Sequence, residues 1–162
     1  LGHGTEFTID IGLDVLIEED GKHSSENENK ISTDCFCGKR VLVVEDNELN
    51  REIIAEILKE EGFLIEEAVN GVEAIDKVIH SRDGYFDLIL MDIQMPVMDG
   101  YKATREIRRM KEPALAGIPI VALTANAFEE DKKKCFAAGM NGHIEKPVNS
   151  QIIRNTLANI LS

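Results

Sequence analysis

The chain has 162 residues, 30 acidic against 18 basic side chains, a formal net charge of -12 and 43% hydrophobic residues. That length holds one domain of ordinary size plus a tail, and the acid balance excludes a surface built to grip a nucleic-acid backbone, since such surfaces are basic. No apolar run approaches the ~18 residues that a membrane-spanning helix needs, and no signal peptide is visible. A soluble, cytoplasmic fragment without membrane contact is expected, which leaves a membrane-anchored parent chain open.

Residues 1–38 hold nine of the acids and two of the bases. Phe7, Ile9, Ile11, Leu13 and Val15 alternate with polar positions, and period two predicts a half-buried strand. It has no sheet of its own, so residues 1–16 read as a piece of a preceding domain. Residues 17–38 are polar and acidic, and read as a linker. Cys35, Cys37 and Cys135 make no disulfide framework. Cys35-Phe-Cys37 lacks a second pair of metal ligands and reads as reduced thiols beside a boundary.

The main domain is expected over 39–162. Val41–Val44 predicts a first strand, ending in Glu45-Asp46. A helix follows from Asn47 to Glu61, with Leu49, Ile53, Ile54, Ile57 and Leu58 at helical spacing and Gly62 as its stop. Phe63-Leu-Ile65 opens a second strand. Asn70 is the expected N-cap of a second helix, with Val72, Ile75, Val78 and Ile79 on one side. Leu88–Met91 is apolar throughout, as a strand buried on both faces is, and it gives way to Asp92 in the open. Met95-Pro96 and Asp99-Gly100 turn the chain. Tyr101–Lys111 predicts a third helix, Ile118–Leu123 a fourth strand and Asn126–Ala138 a fourth helix closed by Gly139. Gly142–Ile144 predicts a short fifth strand and Ser150–Leu161 the last helix. Five strands alternating with five helices give an α/β, doubly wound parallel sheet of order 2-1-3-4-5, with a switch point between strands one and three.

Ligands bind at the carboxyl ends of the strands in such a sheet. Those ends carry Glu45 and Asp46, then Asp92, Thr124 and Lys146. Strands one and three are neighbours, so three carboxylates converge and need cations. A hard divalent ion such as Mg²⁺, with oxygen ligands, answers that need. Asp92 is then a carboxylate nucleophile for a phosphoryl group. Mg²⁺ on Asp46 and Asp92, the Lys146 ammonium and the Thr124 hydroxyl would neutralise the phosphoryl oxygens. Ala125 leaves room for the incoming group.

Val44-Glu-Asp46, Met91-Asp92-Ile-Gln-Met-Pro-Val-Met-Asp-Gly100, Leu123-Thr-Ala125 and Lys146-Pro147 together resemble the receiver domain of two-component signalling. The resemblance implies a flavodoxin-like fold, phosphorylation on Asp92, and Mg²⁺ on Glu45, Asp46, Asp92 and the Gln94 backbone carbonyl. It also implies a switch formed by Thr124 and the residue three before the lysine. That residue is His143 here, where many members carry Tyr or Phe. Gly2-His-Gly-Thr-Glu-Phe7 and the strand after it resemble the last glycine box and closing strand of a sensor histidine kinase ATP-binding domain. The pair of resemblances implies the C-terminal receiver of a hybrid sensor histidine kinase, in a fragment that is not itself a kinase. The implied donor is a phosphohistidine, on the kinase's own dimerisation domain or on a histidine phosphotransfer domain.

The apolar arc of the first helix covers about half its circumference, more than one sheet face needs. Part of it, Leu49 or Ile53 beside the site, is expected to stay exposed and dock the donor. Two other readings remain open. One is an Asp-nucleophile phosphohydrolase, although Gln94 stands where its second acid would be. The other is a receiver-like interaction module that takes no phosphate.

Overall fold

The computed structural model describes residues 36–125 and 128–161. The strand expected over 7–15, the kinase remnant over 1–16 and the linker as far as residue 35 lie outside the described residues. So does the expected start of the fourth helix at Asn126.

Five parallel strands form one sheet: β1 (Arg40–Val44), β2 (Leu64–Ala68), β3 (Leu88–Asp92), β4 (Ile120–Thr124) and β5 (Gly142–Glu145), in the order β2-β1-β3-β4-β5. Successive side chains along a strand point to opposite faces, so an apolar strand in a covered sheet feeds two cores. Leu42, Val44, Ile89 and Met91 enter one core; Val41, Val43, Leu88 and Leu90 enter the other. Val44 pairs with Met91 across β1 and β3, which sets the ends of the two central strands side by side.

The helices are α1 (Glu48–Glu60), α2 (Gly71–Ile79), α3 (Gly100–Arg108), α4 (Pro113–Ala116), α5 (Glu129–Ala138) and α6 (Ser150–Leu161). Six helices among the described residues replace the expected five. The addition, α4, is a single turn with Pro113 at its start and Gly117 as its cap, too short to show any apolar period. Asn47 and Asn70 cap α1 and α2, each side chain accepting from backbone N–H groups of the first turn. Gly139 ends α5 at φ 98°, where a side chain would be strained.

The inward face of α2 differs from expectation. Gly71, Ala74 and Val78 are buried, whereas Val72 and Ile79 are exposed. A Cβ on Gly71 would lie 2.8 Å from the Ala103 Cβ, so α2 and α3 approach too closely for large residues at that point. Phe36, three residues ahead of the expected domain start, is buried and stacks on Phe63 with ring centroids 4.7 Å apart.

The β3–α3 loop brings strain to the site's edge. Met98 N donates to the Pro96 carbonyl at 2.7 Å, closing a three-residue turn around Val97 at φ 68°. A β-branched residue there is costly. Gly100 is required for space: a Cβ on it would lie 2.2 Å from the Asp92 carbonyl oxygen.

Candidate functional site

β1 and β3 end side by side, and the residues at their ends therefore share one pocket. One carboxylate oxygen from each of Glu45, Asp46 and Asp92 lies within 4.8 Å of the others. Asp46 is exposed, while Glu45 and Asp92 are buried. Asp92 is thus not in the open, as its place after an apolar run suggested. It is the last residue of β3, paired with Leu123 of β4, and is buried, with Lys146 from beyond β5 bonded to it.

Lys146 follows β5 and reaches back across the top of the sheet. Its backbone N–H donates to the Thr124 carbonyl at 2.8 Å, which anchors the loop. Its Nζ lies 2.6 Å from Glu45 Oε2 and 2.9 Å from Asp92 Oδ2. The Lys146–Pro147 peptide is cis. The Gln94 N–H donates to Asp92 Oδ1 at 3.2 Å, and Asn50 Nδ2 donates to Glu45 Oε1 at 3.3 Å.

Burial raises the Asp92 carboxyl above its ordinary range, and the negative Glu45 adds to this; the bonds from Lys146 and from the Gln94 N–H offset only part of it. For Lys146, burial alone would lower the ammonium. Its bonds to Glu45 and Asp92 outweigh that, and it titrates above the usual lysine range. Three carboxylates against one ammonium leave the pocket net negative. All-oxygen donors at this spacing suit a hard divalent cation, and the exposed Asp46 gives it a path from solvent. Glu45, Asp46 and Asp92 could hold it.

The other expected residues fall as follows. Thr124 ends β4 and is buried at the pocket's edge. Gln94 is exposed, two residues beyond Asp92. His143 is half-buried on β5 opposite Ala122. Ala122 belongs to the core that α5 joins through Cys135, so the period-two alternation turns His143 toward the α5 side of the sheet. Leu49 and Ile53 are exposed on α1, at 64% and 47%. Ile53 lines a groove of about 360 Å³ with Asn50, Ile54, Lys146, Pro147 and Val148. A second recess, about 550 Å³, lies on the other side of Ala125, between Gln94, Asp99, Tyr101 and Lys134.

Two residues at the site were missed in the sequence: Asn50, on the Glu45 carboxylate, and Arg51, on the Glu45 carbonyl. Arg51 had a readable signal. At roughly 100° per residue it falls beside Leu58, on the buried side of the helix, where a charge needs a reason.

A protein-family model for the response regulator receiver domain matches residues 41–158. Hybrid signal transduction histidine kinase B of Dictyostelium discoideum is 43% identical over 124 residues, 71% of this chain and 6% of that protein. Histidine kinase 5 of Arabidopsis thaliana is 37% identical over 146 residues, 75% of this chain and 16% of that protein. The chain therefore spans a small part of these relatives. Among solved structures, the receiver domain of a Pseudomonas aeruginosa sensor histidine kinase superimposes with a TM-score of 0.69 at 37% identity, covering 77% of this chain and 98% of that one; it was crystallised with magnesium coordinated in its active-site cleft. A Saccharomyces cerevisiae response-regulator receiver, solved in complex with a histidine phosphotransfer protein, matches with a TM-score of 0.66 at 33% identity over 76% of this chain and 88% of that one. The flavodoxin-like sheet, the acid-lysine pocket and the family match over residues 41–158 agree, and the chain belongs to the receiver domains of response regulators.

Proposed function

We propose that this chain accepts a phosphoryl group from a phosphohistidine onto Asp92, with Mg²⁺, as the receiver of a hybrid sensor histidine kinase. The observation that supports it most is the Lys146 ammonium shared between Glu45 at 2.6 Å and Asp92 at 2.9 Å, beside the exposed Asp46. An Asp92 oxygen attacks phosphorus in line. The phosphorus–nitrogen bond to the donor imidazole breaks, its electron pair returns to the ring, and an acyl phosphate forms on Asp92. Mg²⁺ held by Glu45, Asp46 and Asp92 would supply positive charge to the phosphoryl oxygens. Lys146, already charged, swings its second hydrogen bond from the Asp92 carboxylate to the incoming group. The Thr124 hydroxyl, with His143 behind it, reads the result. Transfer is positioning plus electrostatics, and this site has groups for both.

The donor is a helical bundle bearing a phosphohistidine, docked on Leu49 and Ile53 beside the groove that ends at Lys146. In the full-length hybrid kinase, residues 1–16 close a kinase ATP-binding domain, a linker follows from residue 17, and the receiver runs from the expected start at 39 to 162 with Phe36 packed into its core. Incubation with acetyl phosphate and Mg²⁺ should add the mass of one phosphoryl group, and Asp92→Asn should add none. Full uptake by Asp92→Asn, or turnover of a small phosphate ester by the unsubstituted 162-residue chain, would overturn this reading.

A further inference from the structure

Arg51 is an arginine turned toward the buried side of α1, its side chain only 13% exposed. Its Nη1 donates to the Glu45 carbonyl oxygen at 3.0 Å and its Nε to Glu67 Oε2 at 2.9 Å. The N–H of Glu45 donates to the Ala68 carbonyl at 3.1 Å. Both ends of the Glu45 backbone are therefore held to β2, one directly and one through Arg51. The Arg51 N–H itself donates to the Asn47 carbonyl at 2.9 Å, which closes the first turn of α1 over the same loop. Between these anchors sits Asp46, whose carboxylate is exposed. Its direction toward Asp92 is inherited from its backbone.

We propose that Arg51 is a positioning residue for the divalent cation: by fixing the peptide between Glu45 and Asp46, it holds the Asp46 carboxylate in place toward Asp92. The choice of Mg²⁺ as that cation rests on the receiver reading above. A ligand fixed in advance by a hydrogen-bonded support binds its metal more tightly than a free one, and loss of such support costs about 10–100-fold in affinity. Charge alone acts in the opposite sense. A guanidinium beside three carboxylates repels a dication, so removing it merely as a charge would tighten Mg²⁺ binding. The sign of the change therefore separates the two roles. Lysine keeps the charge but cannot donate to the carbonyl and to Glu67 as one rigid fork.

The test is calorimetric titration of the full chain with MgCl₂, and thermal melting without Mg²⁺. Arg51→Ala should raise the Mg²⁺ dissociation constant about ten-fold, and Arg51→Lys should fall between it and the parent. In uptake from acetyl phosphate, the Mg²⁺ concentration for half-maximal rate should rise while the rate at saturating Mg²⁺ stays close to the parent's. Arg154→Ala is the control, because Arg154 pairs with Glu61 at the far end of α1, at 2.6 Å; it should lower the melting temperature without moving Mg²⁺ affinity. If Arg51→Ala does not fold, Arg51→Met keeps the buried stem of the side chain and removes every donor of the fork, and should weaken Mg²⁺ binding in the same direction, whereas loss of the charge alone would tighten it. Unchanged or tighter Mg²⁺ binding in a folded Arg51→Ala or Arg51→Met, or an equal shift in Arg154→Ala, overturns the proposal. A parent chain that binds no Mg²⁺ and takes no phosphoryl group overturns the receiver reading instead.

Discussion

Asp92 holds its charge against its surroundings. Burial and Glu45 raise its carboxyl, so the folded chain binds its proton more tightly than the unfolded chain does. Between the ordinary carboxylate pKa and the raised one, the folded state carries more protons, and stability falls as pH rises through that window. Above that window the full penalty is present. Without divalent cation, Asp92→Asn should therefore melt at or above the parent chain at pH 7, and the difference should vanish at pH values below the ordinary carboxylate range. Added Mg²⁺ should raise the melting temperature of the parent, because it binds the folded state only, and should do much less for the variant. A scan of melting temperature against pH, with and without Mg²⁺, checks both. An Asp92→Asn chain that melts well below the parent at pH 7 without Mg²⁺ would mean that the bond to Lys146 outweighs burial. The identity of this residue was legible in the sequence as a lone acid after a purely apolar strand. Its burial was not, because that depends on segments remote in the chain, such as the one that brings Lys146 onto it.

At the scale of one element, α1 shows how far periodicity reaches. At roughly 100° per residue, Leu49, Ile53, Ile57, Ile54 and Leu58 fall near 0°, 40°, 80°, 140° and 180°. Exposure falls along the same arc, from 64% at Leu49 and 47% at Ile53 to 2% at Ile54 and 0% at Leu58. The sheet and α6 cover one half of the arc and leave the half nearer the site open. Leu49→Glu should therefore leave stability almost unchanged, as exposed substitutions do. It should slow phosphotransfer from a histidine phosphotransfer protein by at least about ten-fold if Leu49 sits at the centre of the docked surface. Uptake from acetyl phosphate should be unchanged, since that reaction needs no docking; equal loss with both donors would remove Leu49 from the interface. The α2 face misled for the converse reason. Its apolar periodicity marked Val72 and Ile79 as inward, but the close approach of α3 leaves no room for a Cβ at Gly71, and the buried positions are Gly71, Ala74 and Val78.

At the largest scale, two cores flank one sheet among the described residues, and the core shared by α1 and α6 extends back to Phe36. Phe36→Ala should cost about 3 kcal/mol, the range for emptying a buried aromatic site, and a chain starting at residue 39 should be destabilised at least as much as that. Urea denaturation of chains starting at residues 35 and 39 measures it; equal midpoints would mean that the Phe36–Phe63 stack contributes nothing. Phe36 escaped notice because a single aromatic in a polar stretch has no period to betray it. The five strands, their parallel order and the residues at their ends were written in the sequence, since alternation and apolar runs are local properties and short right-handed crossovers leave few topologies. Glu45, Asp46, Asp92, Thr124 and Lys146 were legible for the same reason, each standing one or two residues past an apolar run. What only the tertiary structure decided is which of these groups touch. Lys146 bonds Glu45 across 101 positions of chain, Arg51 ties the end of β1 to β2, and Gly100 is a glycine because the Asp92 carbonyl leaves no space for a Cβ. Such contacts depend on distances between segments remote in the chain, and those distances exist only once the helices have packed on the sheet.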